Sequence, residues 1–362
     1  MAKKLQKVVV GISGGVDSAV SAYLLKEQGY DVTGVYMWCY GSNDEHCRAH
    51  QDRADAIKVA SHLNIPFEVW DFEKEYSEKV LKYFYDEYQN GRTPNPDVVC
   101  NKEIKFGMFY ERAIKERGFD YVATGHYARK IQSLGTGADP KKDQSYFLYR
   151  IKPEQLPYIL FPVGELTKKE VREIAKKAGL PVYNKPDSQG VCFVGEVSLR
   201  KFLEGKVTYQ KGNIVDTKGE VIGSHEGLPF YTIGQRRGFT LTKYQGLPLY
   251  VISKNMERNE LVVGFGKETE VGEFKVGDIN WLVEFNSGSS HPPAGGGTNP
   301  YECFGDLKVR IRHLSKPVSC ELEALSRSQI RVKLKIPQRG VAPGQSAVFY
   351  HNDIVIGGGI IQ

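Results

Sequence analysis

Nothing in the 362 residues approaches the roughly 18 consecutive apolar positions of a membrane-spanning helix, so no membrane association is expected. The polar stretch Met1 to Lys7 is too short for a signal or transit peptide, and a cytoplasmic setting is the expectation. Six cysteines in a chain of this length do not make a disulfide scaffold, and in a reducing compartment they are thiols. No two of them form a Cys-x-x-Cys pair, which argues against a zinc site and leaves no metal ligand set to name. Neither sign of charge dominates: 49 basic against 43 acidic residues leaves a net +6, which permits an anionic macromolecular partner without requiring one. One compact core rarely serves so long a chain, so two or three domains are expected.

Also missing is the Gly-Lys-Ser/Thr ending of a Walker A loop. What stands in its place is Gly11-Ile12-Ser13-Gly14-Gly15-Val16-Asp17-Ser18, directly after the apolar run Val8-Val9-Val10. A strand entering a glycine-rich turn and then a helix leaves backbone N–H groups free at a positive helix end, a cradle for phosphate. Val16, Ala19, Val20, Tyr23 and Leu24 mark one face of that helix, and Gly29 supplies its left-handed end. Further strands are predicted over 32–37, 66–71 and 121–124, with a helix between the first two of these. The alternation implies an α/β fold with a parallel sheet, whose ligands bind at the carboxyl ends of the strands. The glycine loop, Met37 and Gly125-His126 all fall at such ends.

Thr167-x-x-Glu170 is a capping box for a helix whose buried face is Val171, Ile174, Ala175 and Ala178. Lys168-Lys169 and Lys176-Lys177 on that helix read as solvated surface. Beyond residue 203 short alternating runs take over, as in Leu307/Val309/Ile311, Val332/Leu334/Ile336 and 347–361 broken at Asn352-Asp353. Such period-two runs with frequent turns indicate β-barrels or sandwiches. The expected domains are 1–203, 204–271 and 272–362, with the Gly/Ser/Pro-rich stretch 286–300 as a loop.

Two cysteines stand in polar surroundings. Cys100 closes Gly91-Arg92-Thr93-Pro94-Asn95-Pro96-Asp97-Val98-Val99-Cys100, ahead of a helix expected over 101–117. A position at a helix N-terminus favours the thiolate, although a small buried cysteine is the commonest state of the residue type. Cys192 follows Asp187-Ser188-Gln189-Gly190-Val191 and, taken alone, reads as a core residue. Paired with Cys100, it becomes a candidate for chemistry. Cys39, Cys47, Cys303 and Cys320 lack such surroundings.

Ser-Gly-Gly-x-Asp-Ser is similar to the loop of the ATP pyrophosphatases. The whole chain resembles the tRNA 2-thiouridylases of that class, through GISGGVDS at 11–18, GRTPNPDVVCNKEIKF at 91–106, ATGHYA at 123–128, KDQSYFLY at 142–149, FPVGELTK at 161–168, DSQGVCF at 187–193, TIGQRRG at 232–238 and PGQSAVFY at 343–350. The resemblance implies a PP-loop (adenine nucleotide α-hydrolase-like) catalytic domain followed by two β-rich domains. It implies ATP, with Mg2+, bound at Gly11, Ile12, Ser13, Gly14, Gly15, Val16, Asp17, Ser18, Met37 and Gly125. It implies contact with the target base by Asn95, Pro96 and Asp97, and contact with tRNA by His126, Lys142, Asp143, Gln144, Arg312, His313 and Gln345. Relatives more usually carry Tyr where His313 stands, and a longer connection near 204–213.

The resemblance further implies Cys100 as nucleophile and Cys192 as persulfide carrier; Asp97 is a candidate for proton transfer on its position three residues before Cys100. The expected partners are the glutamate, lysine and glutamine tRNAs and a cysteine desulfurase or relay protein as sulfur donor. Three rival readings remain at this level: a PP-loop enzyme acting on a small metabolite, a tRNA-binding protein without catalysis, and an iron–sulfur cluster on Cys100 and Cys192.

Overall fold

The computed structural model describes residues 5–41, 48–187, 199–244, 246–283, 301, 305–326 and 328–362. These fall into two compact units, one comprising 1–81, 96–197 and 353–356, the other 82–95, 198–352 and 357–362.

The first unit is built on β1 (Lys7–Gly11), β2 (Asp31–Trp38), β3 (Phe67–Asp71), β4 (Tyr121–Ala123) and the short strand Ile159–Leu160. Their order is β3-β2-β1-β4 followed by 159–160, and every pairing is parallel. Helices α1 (Val16–Glu27) and α2 (Ala49–Leu63) connect the first three strands. The central strand is apolar on both faces, with Val8, Val9 and Val10 all fully buried, as a sheet covered on both sides requires. The chain lays β2 and β3 to one side of β1 and then crosses to lay β4 on the other. The strand order reverses at that point, and there the carboxyl ends of β1 and β4 open a crevice.

Local signals formed as expected in several places. Gly29 takes φ +85° just past α1. Thr167 Oγ1 accepts from the Glu170 backbone N–H, while Glu170 accepts from the Thr167 backbone N–H at 2.7 Å, opening the helix Lys168–Lys177. Two differences stand out. A helical stretch from Glu73 to Gln89 has no counterpart in the sequence reading, because its Lys and Glu residues interrupt a sparse apolar stripe of Tyr76, Val80, Phe84 and Tyr88. The helix expected from residue 101 already begins at Pro96, a residue suited to a first helical position. Cys100 therefore sits a full turn inside the helix rather than at its N-terminus.

The second unit holds a five-stranded sheet, ordered Thr240–Leu241, Val221–His225, Gly212–Val215, Glu260–Gly264, Tyr250–Asn255, around a core of Ile214, Leu228, Val251, Leu261 and Val263. Six further strands close into a barrel: Glu270–Trp281, Gln329–Arg339, Val318–Ser326, Leu307–Arg310, Ser346–His351 and Ile354–Ile361, the last pairing back to the first. Closure leaves no free sheet edge in the ring.

Candidate active site

At the crevice the backbone is packed too tightly for side chains. A Cβ on Gly14, which has φ +77°, would fall 2.2 Å from the Asp52 carbonyl oxygen; one on Gly125 would fall 2.6 Å from the Ser18 nitrogen. Met37 lines the same turn, its methyl 2.9 Å from where a Cβ on Gly11 would lie. The Ser13 backbone N–H donates to Ser18 Oγ at 3.1 Å, which shapes the turn. Gly15 occupies the N-cap of α1 with no side-chain cap, so the first-turn N–H groups of this 12-residue helix have no side-chain acceptor at the cap. Tight turn, uncapped helix end and strand-order reversal are together the features of an anion cradle.

Around the cradle runs a charged network that the sequence only partly disclosed. Lys168 Nζ lies 2.7 and 2.8 Å from the two Asp17 carboxylate oxygens and 2.9 Å from Asp187 Oδ1. Its side chain is 12% exposed, so the expectation of a solvated lysine fails: the capping box turns the first helical residue back toward the glycine loop. Tyr127 donates its hydroxyl to Asp17 at 2.7 Å. Asp187 also receives Lys142 Nζ and Arg172 Nη2, each at 2.5 Å. Burial alone would raise the Asp187 carboxyl; hydrogen bonds from Lys142 and Lys168 outweigh it and hold the group well below the ordinary aspartate range. On the other flank Lys185 donates to the Gly14 carbonyl at 3.0 Å and pairs with Asp52 and Asp55 at 2.8 and 2.6 Å.

His126 is buried, with Nδ1 2.7 Å from Thr124 Oγ1 and its ring against Phe106 and Phe161. Burial, helped by the nearby Lys105 charge, pushes its imidazole well below the ordinary value and keeps it neutral. Cys100 is a free thiol with no exposed surface, and Asp97 lies one turn earlier on the same helix. Asn101 next to it donates to the Phe147 carbonyl at 3.2 Å. Of the triplet 142–144, Lys142 reaches the charged network. Asp143 Oδ1 accepts from the Gly137 and Ser145 backbones at 3.0 and 3.1 Å, and Gln144 Oε1 accepts from the Tyr127 backbone at 3.0 Å. Cys192 lies outside the described residues, as do Cys47 and Cys303.

In the second unit Arg312 Nη2 donates to the Gly340 and Ile233 carbonyls at 3.1 and 3.3 Å. Gln345 Nε2 donates to the Thr93 and Pro94 carbonyls at 3.0 and 2.9 Å. Asn95 and His313 also belong to this unit, Asn95 buried at 8% exposure. Cys320 sits in the barrel core, and burial pushes its thiol up to about 12, the inert state expected of a structural cysteine.

Three family models match the chain end to end: a tRNA methyl transferase HUP domain over residues 6–196, a tRNA methyl transferase PRC-barrel domain over 200–265 and an aminomethyltransferase β-barrel domain over 271–361. The tRNA-specific 2-thiouridylase MnmA of Idiomarina loihiensis is 44% identical over 375 aligned residues, covering 100% of this chain and 97% of that protein. The chain belongs to the tRNA-specific 2-thiouridylase family. The same name is carried by a protein of Francisella philomiragia, 44% identical over 98% of this chain and 99% of its own length. A Halalkalibacterium halodurans protein, 44% identical over 98% of this chain and 94% of its own, carries it as well. Membership makes the chain an enzyme with a PP-loop-type catalytic unit and β-rich domains behind it. Among the described residues no helix is long and apolar enough to cross a membrane.

Proposed function

We propose that this chain catalyses the ATP-dependent 2-thiolation of the wobble uridine of tRNA in the cytoplasm. The observation carrying this reading is the uncapped, glycine-lined helix start at the strand-order reversal, in a chain that matches the thiouridylases over its whole length. Gly11 to Ser18, Met37 and Gly125 would hold ATP, the backbone N–H groups of α1 facing the phosphates and Lys168 supplying positive charge beside Asp17. Among the described residues no group of three or more His, Cys, Asp or Glu is arranged to hold a metal, so Mg2+ would arrive on the phosphates, with Asp17 as the loop's carboxylate.

The C2 oxygen of uridine leaves poorly; adenylation turns it into AMP, a stabilised leaving group, with release of pyrophosphate. A persulfide on Cys192 supplies sulfur to C2 as AMP departs. The Cys100 thiolate then attacks the S–S bond, leaving a thiocarbonyl on the base and a Cys100–Cys192 disulfide, which an external thiol must reduce. Asn95, Pro96 and Asp97 would hold the base, splayed from its stack, with Asp97 moving the proton. His126, Lys142, Arg312 and His313 are the candidate tRNA contacts, while Asp143 and Gln144 shape the turn that presents Lys142. The tRNAs would be those for glutamate, lysine and glutamine, and the sulfur source a cysteine desulfurase or relay protein. In this reading residues 1–203 form the catalytic domain, 204–271 an adapter and 272–362 a tRNA-binding barrel.

The test is mass spectrometry of nucleosides from tRNA incubated with the protein, ATP, Mg2+, a persulfide source and a thiol reductant. Exchange of one oxygen for sulfur on uridine, lost in Cys100→Ser, is the expected result. Folded protein that yields AMP but no thiolated nucleoside would overturn it.

A further inference from the structure

The resemblance places Gln345 among the tRNA contacts. The two donors of its side-chain amide, however, are already committed. Both hydrogens of the Nε2 amide point at backbone carbonyls of the 91–95 loop, Thr93 at 3.0 Å and Pro94 at 2.9 Å. The backbone of Gln345 is held as well: its N–H donates to Ala342 and its carbonyl accepts from Ile361 at 2.8 Å, so the donor stands on a rigid barrel strand end. The approach between barrel and loop is close. The Thr93 N–H donates to the Pro343 carbonyl at 2.9 Å, and a Cβ on Gly344, at φ +91°, would fall 2.8 Å from the Thr93 carbonyl oxygen. Thr93 Oγ1 lies 3.4 Å from Thr232 Oγ1 of the five-stranded domain. Arg92 is turned away, its guanidinium on Glu87 at 2.7 and 2.5 Å.

The sequence explains why the loop needs an outside donor. Prolines at 94 and 96 have no N–H, so this segment cannot build a ladder of its own, yet its carbonyls still require partners. We infer that Gln345 is a positioning residue of the barrel that fixes the Thr93-Pro94 backbone, and with it the Asn95 side chain. The inference rests on the proposed thiolation in giving Asn95 and the residues after it their role. A glutamine suits the task because an amide offers two donors without bringing a charge. A glutamate of the same shape would set a negative charge against two carbonyl oxygens, and would regain one donor only on protonation.

The experiment compares wild type with Gln345→Glu, Gln345→Ala and Gln345→Asn, using the whole chain and unmodified tRNA. At pH 7.5 the glutamate and alanine variants should lose on the order of 10- to 100-fold in kcat, the range for two part-buried hydrogen bonds and a misplaced loop, while tRNA affinity by filter binding stays within about two-fold. The glutamate variant alone should recover as pH falls toward 6. A weakened tRNA affinity with wild-type kcat at saturating tRNA would overturn the proposal. Hydrogen exchange of the peptide spanning 91–99 gives a readout independent of activity: its amides should exchange faster in every variant that folds. Unchanged exchange would sink the positioning role, whereas wild type that makes no 2-thiouridine would sink the functional reading alone. Should the glutamate variant not fold, the asparagine variant, with the amide kept but one methylene short, carries the same comparison.

Discussion

Around Asp17 and Asp187 the chain gathers Lys142, Lys168 and Arg172 into a network in which nearly every contact is between full charges. The Thr93 and Pro94 carbonyls are instead held by the Gln345 amide, and the guanidinium of Arg312 nearby donates to carbonyls, while that of Arg92 is turned away onto Glu87. The contrast matches the tasks proposed for them. A phosphate chain brings several negative charges and leaves with a different number, so its cradle needs cations that can exchange partners. A loop that must present a neutral base needs fixed shape, and neutral hydrogen bonds give direction without a field that would respond to passing ions.

The sharpest way to break that contrast is Lys168→Met, which keeps the length of the side chain and removes a cation shared by Asp17 and Asp187. ATP turnover should fall by about 10²- to 10³-fold, the range seen when one preorganised charge is removed from a developing anion, with tRNA affinity unchanged. Equal losses in both would mean that the network supports the fold of the whole crevice and not the nucleotide. Steady-state AMP release and filter binding decide between them.

How this network escaped the sequence reading is instructive. The strand–glycine–helix signal was legible because it is local: three buried valines, a turn that tolerates only glycine, an apolar face on the helix. Lys168 sits 151 residues from Asp17, and nothing in Lys168-Lys169 distinguishes the inward lysine from its exposed neighbour except the position of the cap. Asp187 was visible only as the first letter of a cysteine loop. The start of the Cys100 helix was displaced for a similar reason: Pro96 reads as a loop-stiffener when Pro94 precedes it, although a proline serves equally at a helix start. Long-range pairing decided the places of Lys168 and Asp187, and local propensity could not.

Acid titration should separate two limbs of stability, both in the first unit. His126 has its folded value depressed below 6.5, so only the unfolded chain takes up its proton as pH falls; stability therefore drops from about pH 6.5 downward. Asp187 is also depressed in the folded state, from a reference of 3.8, so its contribution is complete above that value and is lost as pH falls below it. In thermal melts His126→Gln should flatten the upper limb and Asp187→Asn the lower one. A Gln345→Ala variant should leave both limbs in place, since a neutral amide takes no part in either. If Asp187→Asn instead parallels wild type at every pH below 4, the three cations around it do not stabilise the carboxylate form.

The smallest expected effect isolates backbone geometry from site geometry. Gly14 and Gly29 flank the same helix, and both adopt left-handed φ, +77° and +85°. They differ in what a methyl group would meet: the Asp52 backbone at 2.2 Å for Gly14, open space for Gly29. Gly29→Ala therefore incurs only the strain of a left-handed alanine, about 1–2 kcal/mol, read as a modestly lower melting temperature with ATP turnover intact. Gly14→Ala adds a clash that must move either the phosphate turn or the start of α2, and turnover should fall well beyond what the loss of stability explains. Matching behaviour in the two variants would mean that the close approach at Gly14 serves the packing of the fold alone, and the contrast between cradle and clamp would lose its nucleotide side.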